Sequence, residues 1–416
     1  MIFKMTLVKH VWEQLTMNDT SERVLIVGAG PVGLVAAACL AENDIPVTLI
    51  ERSDDLPKDL RASTFHPPTL DMLDRFGISE KLIARGLVCP NWQFRDRSEG
   101  VIADFDLGML EGETNHPYRL QCEQWKLSEH LREHLDTLDC VQIIYDATGE
   151  SVVQDENGVR LTIKRSDGST ETLSGRYLIA ADGAHSNIRR SLDIEFEGLT
   201  IPEIFLSMST AFRFDEAIPD LAPIAYLTDP SEWAVLLRTP SLWRVLLPTD
   251  PSMSEAEIKA PEMMEKRLQK LCPKDGPYEV AHATAYRVHQ RVAKKYVMGR
   301  VFLAGDAAHL NNPLGGMGMN GGIHDAVNLT EGLVAVWNGA PLETLGRYER
   351  QRRKVAIDTV QEQSLRNRKI MAENDPAARS AYHDELRAIV ADPARHKDYL
   401  MRTSMLQSLK DLEAIA

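Results

Sequence analysis

Cysteine is scarce in this chain of 416 residues, which has five cysteines and no Cys-x-x-Cys pair. An odd number without paired spacing does not suit a disulfide framework or a zinc ribbon, so we expect a protein of the reducing cytoplasm. His130 and His134 stand four apart on a predicted helix, but Leu131 follows His130, so the His-Glu-x-x-His order of metal-binding helices is absent. We therefore expect no metal site.

Positive charge is also in deficit. The chain has 47 lysines and arginines against 61 aspartates and glutamates, which gives a net charge of −14. An acidic surface repels polyanions, so neither nucleic acid nor an anionic membrane surface is an expected partner.

Long hydrophobic segments are missing as well. Residues 24–41 are uncharged for 18 residues, about the minimum length for a membrane-spanning helix. Glycines and a proline at positions 28–33 interrupt this run, so we expect a strand, a turn and a helix and no membrane span. Residues 1–20 hold no sustained apolar run; they do not resemble a signal peptide and are expected to be a disordered leader.

Residues 24–51 have the pattern of a β-α-β unit. A short apolar run, a glycine turn, an alanine-rich helix and a second apolar run follow one another. The turn fits Gly-x-Gly-x-x-Gly: Gly28 permits a tight turn, Gly30 lets the backbone approach a pyrophosphate, and Gly33 lets helix and strand pack closely. Glu51 ends the second run, where its carboxylate can accept hydrogen bonds from ribose hydroxyls. The unit therefore predicts dinucleotide binding at the helix N-terminus.

Two later segments favour FAD over NAD as the dinucleotide. Residues 177–190 are a buried strand followed by Asp182 and a short helix, and residues 301–322 are another buried strand followed by Asp306 and a glycine-dense loop. Asp306 is a second ribose-type carboxylate, far from Glu51 in sequence. Two such sites are too many for one NAD but suit the longer FAD molecule.

The remaining pattern predicts an α/β fold with two sheets. A Rossmann-like FAD-binding domain, with a parallel sheet and a β-meander over residues 141–173, is expected over residues 21–190 and 275–340. The pattern also predicts helices over residues 67–82 and 322–337, and turns at Asp375-Pro376 and Asp392-Pro393. Strand-like segments separated by proline and aspartate predict a mostly antiparallel substrate domain over residues 191–274. The charged C-terminal helices, residues 341–416, either pair subunits or form a solvated lid, in a monomer or a homodimer.

These motifs, in this order and spacing, resemble those of the single-component flavin-dependent aromatic hydroxylases, the family of para-hydroxybenzoate hydroxylase. The resemblance extends from about residue 24 to residue 353. It implies FAD binding by the residues that match the family's cofactor segments: Gly28, Gly30, Pro31, Gly33, Glu51, Arg52, Arg61, Gln124, Asp182, Gly183, Asp306, Gly316, Gly318, Met319 and Asn320. The transient nicotinamide is expected in a groove near Arg189 and Arg190, or near Arg52.

The resemblance also implies a reaction. NADH or NADPH reduces the flavin, the reduced flavin takes up dioxygen, and the resulting flavin hydroperoxide hydroxylates an electron-rich ring. The implied substrate is a small phenol, a hydroxybenzoate-like acid or an N-heteroaromatic ring. The sequence shows no counterpart of the tyrosine pair with which para-hydroxybenzoate hydroxylase activates its phenol, so the substrate stays open.

Candidates for contact with the ring come from the glycine loop and from the second sheet. The candidates for catalysis are Pro313, His289 and Tyr226, and those for substrate binding are Arg213, Arg238, Trp233 and Tyr226. Pro313 matches the family proline whose carbonyl faces the substrate, and His289 could act on a phenol proton. Either arginine could pair with a carboxylate or nitro group.

Two other enzyme classes of the same fold remain as alternatives. One is a flavin-dependent halogenase, although its Trp-x-Trp-x-Ile-Pro signature is missing here. The other is a flavin-dependent reductase or dehydrogenase.

Overall fold

The computed structural model describes residues 22–58, 62–229 and 231–415. Residues 1–20 and Arg61, on which two expectations rest, lie outside the described residues. The strands are β1 (Val24–Val27), β2 (Val47–Ile50), β3 (Thr64–Phe65), β4 (Leu87–Cys89), β5 (Asn91–Asp96), β6 (Gly100–Asp106), β7 (Arg119–Gln121), β8 (Val141–Ile144), β9 (Ala147–Gln154), β10 (Val159–Arg165), β11 (Thr170–Gly175), β12 (Tyr177–Ala180), β13 (Phe196–Thr210), β14 (Ile224–Thr228), β15 (Ala234–Arg238), β16 (Trp243–Thr249), β17 (Val280–Ala293), β18 (Val297–Met298), β19 (Val301–Leu303) and β20 (His309–Leu310).

The helices follow the same chain order. They are α1 (Pro31–Ala41), α2 (Pro67–Asp74), α3 (Ile78–Arg85), α4 (Gln124–Leu135), α5 (Asn187–Ser191), α6 (Phe214–Ala217), α7 (Glu255–Ile258), α8 (Pro261–Leu271), α9 (Met317–Trp337), α10 (Gly346–Val355), α11 (Glu362–Met371), α12 (Pro376–Ala391), α13 (Pro393–Thr403) and α14 (Leu406–Glu413), with a π-helical turn at Ala356–Gln361 between α10 and α11.

The first sheet confirms the predicted β-α-β unit. Its order is β18-β19-β12-β1-β2-β8, and every pair except β18–β19 is parallel. β1, β2 and β12 are buried along their whole length, as expected of parallel strands covered on both faces. Residues 141–144, predicted to begin the antiparallel meander, instead form the edge strand β8 of this sheet, and the meander consists of β9, β10 and β11.

The second sheet is wider than the predicted range 191–274. Its order is β20-β17-β13-β16-β15-β14-β5-β6, and only β14–β5 is parallel. β5 and β6 join it from the preceding part of the chain, and β17 joins it from the following part. β5 pairs with β14 across more than 100 positions, and β17 pairs with β13 across 70 to 97 positions, which no local alternation of apolar residues reveals.

Two helix boundaries differ from the sequence prediction for reasons of backbone conformation. The helix predicted over 67–82 divides into α2 and α3, because Gly77 between them has a left-handed φ of +62°. The helix predicted to begin at Gly322 begins at Met317, directly after the left-handed Gly316 with φ +68°.

The C-terminal helices pack on their own chain. α11 packs against β14, α12 against β6, and α13 against the 3-10 turn at Leu107–Leu110. Asp375 and Asp392, predicted to mark turns before proline, cap the N-termini of α12 and α13 with their side chains. In the described part of the chain, no helix combines the length and apolar character that crossing a membrane requires.

Candidate active site

The four predicted cofactor segments meet at one edge of the first sheet. Gly28 follows β1, Glu51 follows β2, Asp182 follows β12 and Gly305 follows β19. All four strands are parallel, so their carboxyl ends lie side by side. In open α/β sheets this edge is where ligands bind.

The three motif glycines meet three different demands. Gly28 has φ +102°, and a Cβ placed on it would lie 2.4 Å from the Ala181 carbonyl oxygen. A Cβ on Gly33 would lie 2.0 Å from the Gly28 carbonyl oxygen, so only glycine lets α1 begin here. Around Gly30 no atom lies within 4 Å of such a Cβ. Space for a close ligand therefore exists at Gly30, just before Pro31 opens α1.

The Glu51 side chain stabilises the glycine turn of the first motif. Its side chain is buried, and its two carboxylate oxygens accept hydrogen bonds from the backbone N–H of Ala29 at 2.8 Å and of Ser53 at 3.0 Å. Arg52, at the next position, is exposed.

The Asp182 segment contributes a largely buried carboxylate. Its Oδ2 accepts from the Ile188 N–H at 3.3 Å, while Oδ1 is buried without a hydrogen-bond partner among the described residues. Burial raises the pKa of Asp182. Gly183 follows with φ +81°. Arg189 on α5 donates to the Ala307 and Ala184 carbonyls at 2.8 and 2.9 Å, so it ties this segment to the Asp306 turn.

The Asp306 turn packs directly on the first glycine motif. A Cβ on Gly305 would lie 2.8 Å from a methyl group of Val32, and a Cβ on Gly322 would lie 2.6 Å from the same methyl group. The two glycines thus let α9 and the turn approach α1. Asp306 itself is exposed on this turn.

These residues fit FAD. The open space at Gly30, the unpartnered oxygen of Asp182 and the exposed carboxylate of Asp306 provide a pyrophosphate approach and polar partners along one edge. Gln124, also predicted to touch FAD, is the partly buried first residue of α4, and its N–H donates to the Ala62 carbonyl at 3.0 Å.

The glycine loop before α9 is anchored by Asn320. Its side-chain amide is fully buried; it donates to the Thr64 and Gly316 carbonyls at 2.8 and 2.7 Å and accepts from the His66 N–H at 2.9 Å. The side chain of Asn320 therefore holds the loop against β3, and the predicted place of Asn320 in the FAD site stays a prediction.

The other loop residues are held less tightly. The Pro313 carbonyl accepts from the Gly316 N–H at 3.0 Å, and a Cβ on Gly318 would lie 3.2 Å from the Asn311 side-chain oxygen. Met319 is partly buried against the core of the first sheet.

A narrow cavity adjoins this loop. Its walls come from β5, β7, β14, the glycine loop and the three C-terminal helices α11, α12 and α13. The lining residues are Trp92, Phe94, Arg119, Tyr226, Gly315, Met317, Asn367, Ile370, Met371, Tyr382, Tyr399 and Thr403. The Trp92 ring lies 5.6 Å from Tyr226 and 6.3 Å from Tyr399, so aromatic faces enclose the space.

Of the predicted ring-binding residues in the second sheet, Tyr226 alone lines this cavity. Trp233 is buried and packs edge-on against Phe205 at 5.3 Å. His289 points away from the face of β17 that carries the buried Val288, and its Nδ1 lies 3.0 Å from the Thr200 hydroxyl. His289 is therefore not placed to act on a ring in the cavity.

The two predicted arginines face another part of the molecule. Arg213 and Arg238 both pair with Asp215, at 2.6 and 2.7 Å. A carboxylate of the protein already neutralises them, so neither is placed to bind an anionic substituent of the ring.

Sequence reasoning missed the residues that the C-terminal helices and β5 bring to the cavity. Tyr382 and Tyr399 lie in charged, amphipathic helices, and nothing in their local pattern separates them from core tyrosines. Arg119 did leave a signal, because it is a cation in a three-residue strand that is buried throughout.

Comparison with known proteins places the chain in a family. The sequence model of the family described as FAD binding domain matches residues 21–363. The chain belongs to this family. Relatives of this chain include para-nitrophenol 4-monooxygenase of Pseudomonas sp. (strain WBC-3), 36% identical over 403 residues that cover 95% of this chain and 96% of the relative.

A second relative of this chain is 6-hydroxy-3-succinoylpyridine 3-monooxygenase HspB of Pseudomonas putida (strain DSM 28022 / S16), which is 33% identical over 91% of this chain and 96% of the relative. The crystal structure of p-nitrophenol 4-monooxygenase PnpA from Pseudomonas putida DLL-E4 matches with a TM-score of 0.88 and 33% identity, and covers 93% of this chain and 98% of that chain. The protein is thus an FAD-dependent aromatic monooxygenase. The reductase and halogenase alternatives find no support among these relatives.

Proposed function

We propose that this monooxygenase hydroxylates a single-ring phenol or hydroxypyridine in the cavity beside Gly315, with NADH or NADPH as reductant and dioxygen as oxidant. The enclosed aromatic cavity directly against the glycine loop carries the proposal. Its lining is mostly aromatic and apolar with a few polar groups, which suits a flat substituted ring. The names of the relatives, which act on a nitrophenol and a hydroxypyridine, support the same substrate class.

In the proposed reaction, FAD supplies the redox chemistry and the chain binds the cofactor. Bound FAD supplies the redox chemistry, accepting electrons from the nicotinamide and activating dioxygen. The FAD-binding role proposed for Gly30, Asp182 and Asp306 rests on the open space, the unpartnered oxygen and the exposed carboxylate described above.

The nicotinamide is proposed to bind transiently near Arg52, which is exposed beside the first motif. Arg189 and Arg190 are weaker candidates, because their guanidinium groups donate to backbone carbonyls of their own segment and of the Asp306 turn. Use of a nicotinamide cofactor and five cysteines without disulfides support a cytoplasmic location.

The chain's main chemical task is to hold the ring and exclude water. Trp92, Tyr226 and Tyr399 are each less than 10% exposed, so a ring among them lies in a dry site. Exclusion of water prevents reduced cofactor and dioxygen from reacting without hydroxylating the ring. Gly315 and Met317 supply the part of the cavity wall that comes from the glycine loop and the start of α9.

Oxidation of NADH and NADPH by the FAD-loaded protein, with dioxygen uptake followed in parallel, tests the proposal. We expect 4-nitrophenol, 4-hydroxybenzoate or a hydroxypyridine to accelerate both processes and to yield a hydroxylated product. FAD-loaded protein that no ring accelerates would contradict it.

Two variants of α11 test the location of the ring. Met371 is buried in the cavity wall, so Met371→Trp fills the space and is expected to abolish acceleration by the ring while FAD binding persists. Leu365→Trp, on the exposed side of the same helix, is the matched control and should retain activity.

A further inference from the structure

Arg119 is a buried cation inside the aromatic cavity. It lies on β7 and is 3% exposed, and its guanidinium lies 5.1 Å from the Trp92 ring centroid. One nitrogen, Nη2, donates to the Thr403 carbonyl at 3.2 Å. Its Nε is buried and has no hydrogen-bond partner among the described residues.

No carboxylate neutralises this charge within ion-pair distance in the described part of the chain. The titratable groups that face Arg119 are Tyr226 and Tyr399, Cys89 and His66. Burial raises the pKa of both tyrosines, and it raises the pKa of Cys89 to about 12, so all three stay neutral near pH 7. Burial and the nearby guanidinium hold the pKa of His66 well below its usual range, so His66 is neutral as well.

A buried charge without a counter-ion is costly for the folded protein. Arginine does not escape this cost by losing its proton, because its pKa is too high. Arg267 on α8, which is also buried, differs in this respect, because it pairs with Glu232 at 2.7 Å. An unpaired buried guanidinium in a ligand cavity is therefore suited to receive an anion from the ligand.

We propose that Arg119 binds the ring oxygen of the substrate as a phenolate. The inference rests on the proposed function and adds the charge state and orientation of the ring. Nη2 already donates to the Thr403 carbonyl, and Nε is a buried donor without a partner among the described residues, so Nε can donate to one anionic oxygen of the ring. Tyr226 stays protonated and hydrogen-bonds to Arg119, which completes the polar end of the cavity.

The proposal has a chemical consequence. A phenol that enters from neutral solution releases its hydroxyl proton to water on binding, and the resulting phenolate has a more electron-rich ring. The enzyme is then selective for rings whose hydroxyl ionises readily, such as those with an electron-withdrawing substituent. An O-methylated ring of the same size lacks the anion and binds weakly.

Spectrophotometric titration of 4-nitrophenol bound to the FAD-loaded enzyme, without NAD(P)H, tests the charge state. The phenolate has its own visible absorption band, so the ionised fraction of bound ligand can be measured against pH. We expect the pKa of bound 4-nitrophenol to fall by about one unit or more below its value in water. 4-Nitroanisole and 4-nitrobenzoate are the neutral and carboxylate comparisons, and both should bind at least about tenfold more weakly.

Variants assign the effect to Arg119. Arg119→Met should remove the shift and weaken 4-nitrophenol binding by about tenfold or more, while Arg119→Lys keeps part of the shift. Arg95→Met is the matched control, because Arg95 is a buried arginine of β5 that bonds to Gln93 and the Asp220 carbonyl outside the cavity. FAD content and circular dichroism check folding, and if Arg119→Met does not fold, Arg119→Gln replaces it.

The outcomes separate the two proposals. If wild-type enzyme binds 4-nitrophenol as the neutral phenol, or if Arg119→Met leaves the shift unchanged, the inference is overturned although the enzyme still hydroxylates rings. Tighter binding of 4-nitrobenzoate than of 4-nitrophenol would overturn it in favour of a carboxylate site. If no ring binds or accelerates NAD(P)H oxidation, the proposed function itself fails.

Discussion

Gly30 and Gly33 both match the first glycine motif, but the structure gives a different reason for glycine at each position. Gly33 is required by the protein, since a Cβ there would lie 2.0 Å from a backbone oxygen. Gly30 meets no steric demand of the protein: its φ is −72° and nothing lies near its Cβ position. Glycine at position 30 is therefore explained by the ligand, and glycine at position 33 by the fold.

Alanine substitutions at these two positions should have opposite effects. Gly33→Ala forces a backbone shift and is expected to lower stability by about 1–3 kcal/mol. Gly30→Ala should leave the melting temperature of the apoprotein unchanged but weaken FAD binding by about tenfold or more, because its methyl group occupies the pyrophosphate approach. Thermal melts and FAD fluorescence titrations check both. Normal FAD affinity of Gly30→Ala would mean that the cofactor does not approach this turn.

Among the elements, α9 connects the cofactor edge to the cavity. Asp325 on this helix is fully buried and accepts hydrogen bonds from His309 Nε2 and Arg352 Nε, both at 2.7 Å, and from the Gly305 N–H at 3.1 Å. Asn320, one turn after the start of α9, holds the glycine loop to β3. The helix thus fixes the Asp306 turn and the loop beside the ring relative to each other.

Phe94, Ile370 and Tyr382 line both the cavity and an outer groove between α11 and α12. The Phe94 and Tyr382 rings lie 5.6 Å apart, edge to face. Removal of the Tyr382 ring joins the two spaces and admits water to the ring site.

Tyr382→Ala is therefore expected to uncouple the reaction. Hydrogen peroxide released per NAD(P)H oxidised should increase several-fold, with a higher KM for the ring. Tyr382→Phe preserves the wall and should stay coupled. Peroxide assays beside product quantification measure this, and equal coupling of the alanine and phenylalanine variants would show that the wall does not exclude water.

On the scale of the whole molecule, buried histidines make stability depend on pH. His324 is 1% exposed, its Nε2 lies 2.9 Å from the Thr69 hydroxyl, and burial together with the Arg352 charge lowers its pKa to about 3. His66 is also fully buried with a strongly lowered pKa. In the unfolded chain both take up a proton near pH 6.5.

The melting temperature should consequently be level above about pH 7 and fall as the pH drops from about 6.5 toward 4. The unfolded state binds more protons than the folded state in this window, and each such histidine contributes a slope of up to about 1.4 kcal/mol per pH unit. His324→Gln should flatten the curve, whereas His185→Gln, at an exposed position, should not. An identical slope for His324→Gln and wild type would contradict this account.

The cofactor half of the protein could be predicted largely from its sequence. Glycine spacing and short apolar runs predicted the β-α-β unit, the strands β12 and β19 and the family. These signals depend only on neighbouring residues, so they are visible in the sequence. The contacts of the individual cofactor residues with FAD remain predictions. The start of α9 was misplaced, because Gly316 sets it through a left-handed conformation that the glycine-dense segment does not single out.

The substrate half could not be predicted in the same way. Its cavity joins Trp92 on β5, Arg119 on β7, Tyr226 on β14 and Tyr399 on α13, residues that the chain order keeps far apart. His289, Arg213 and Arg238 were candidates by residue type, yet strand orientation and pairing with Asp215 direct them elsewhere.

The sequence by itself determined the nucleotide-binding motif and the enzyme family, because the motif depends on the backbone conformation of neighbouring residues. Only the tertiary structure decided which side chains surround the ring, because a cavity is formed by the packing of distant elements. The net charge of its lining depends on whether a carboxylate lies beside each buried cation, and this too is set by packing. That Arg119 has no carboxylate partner among the described residues can be seen only when the surrounding elements are placed in the fold.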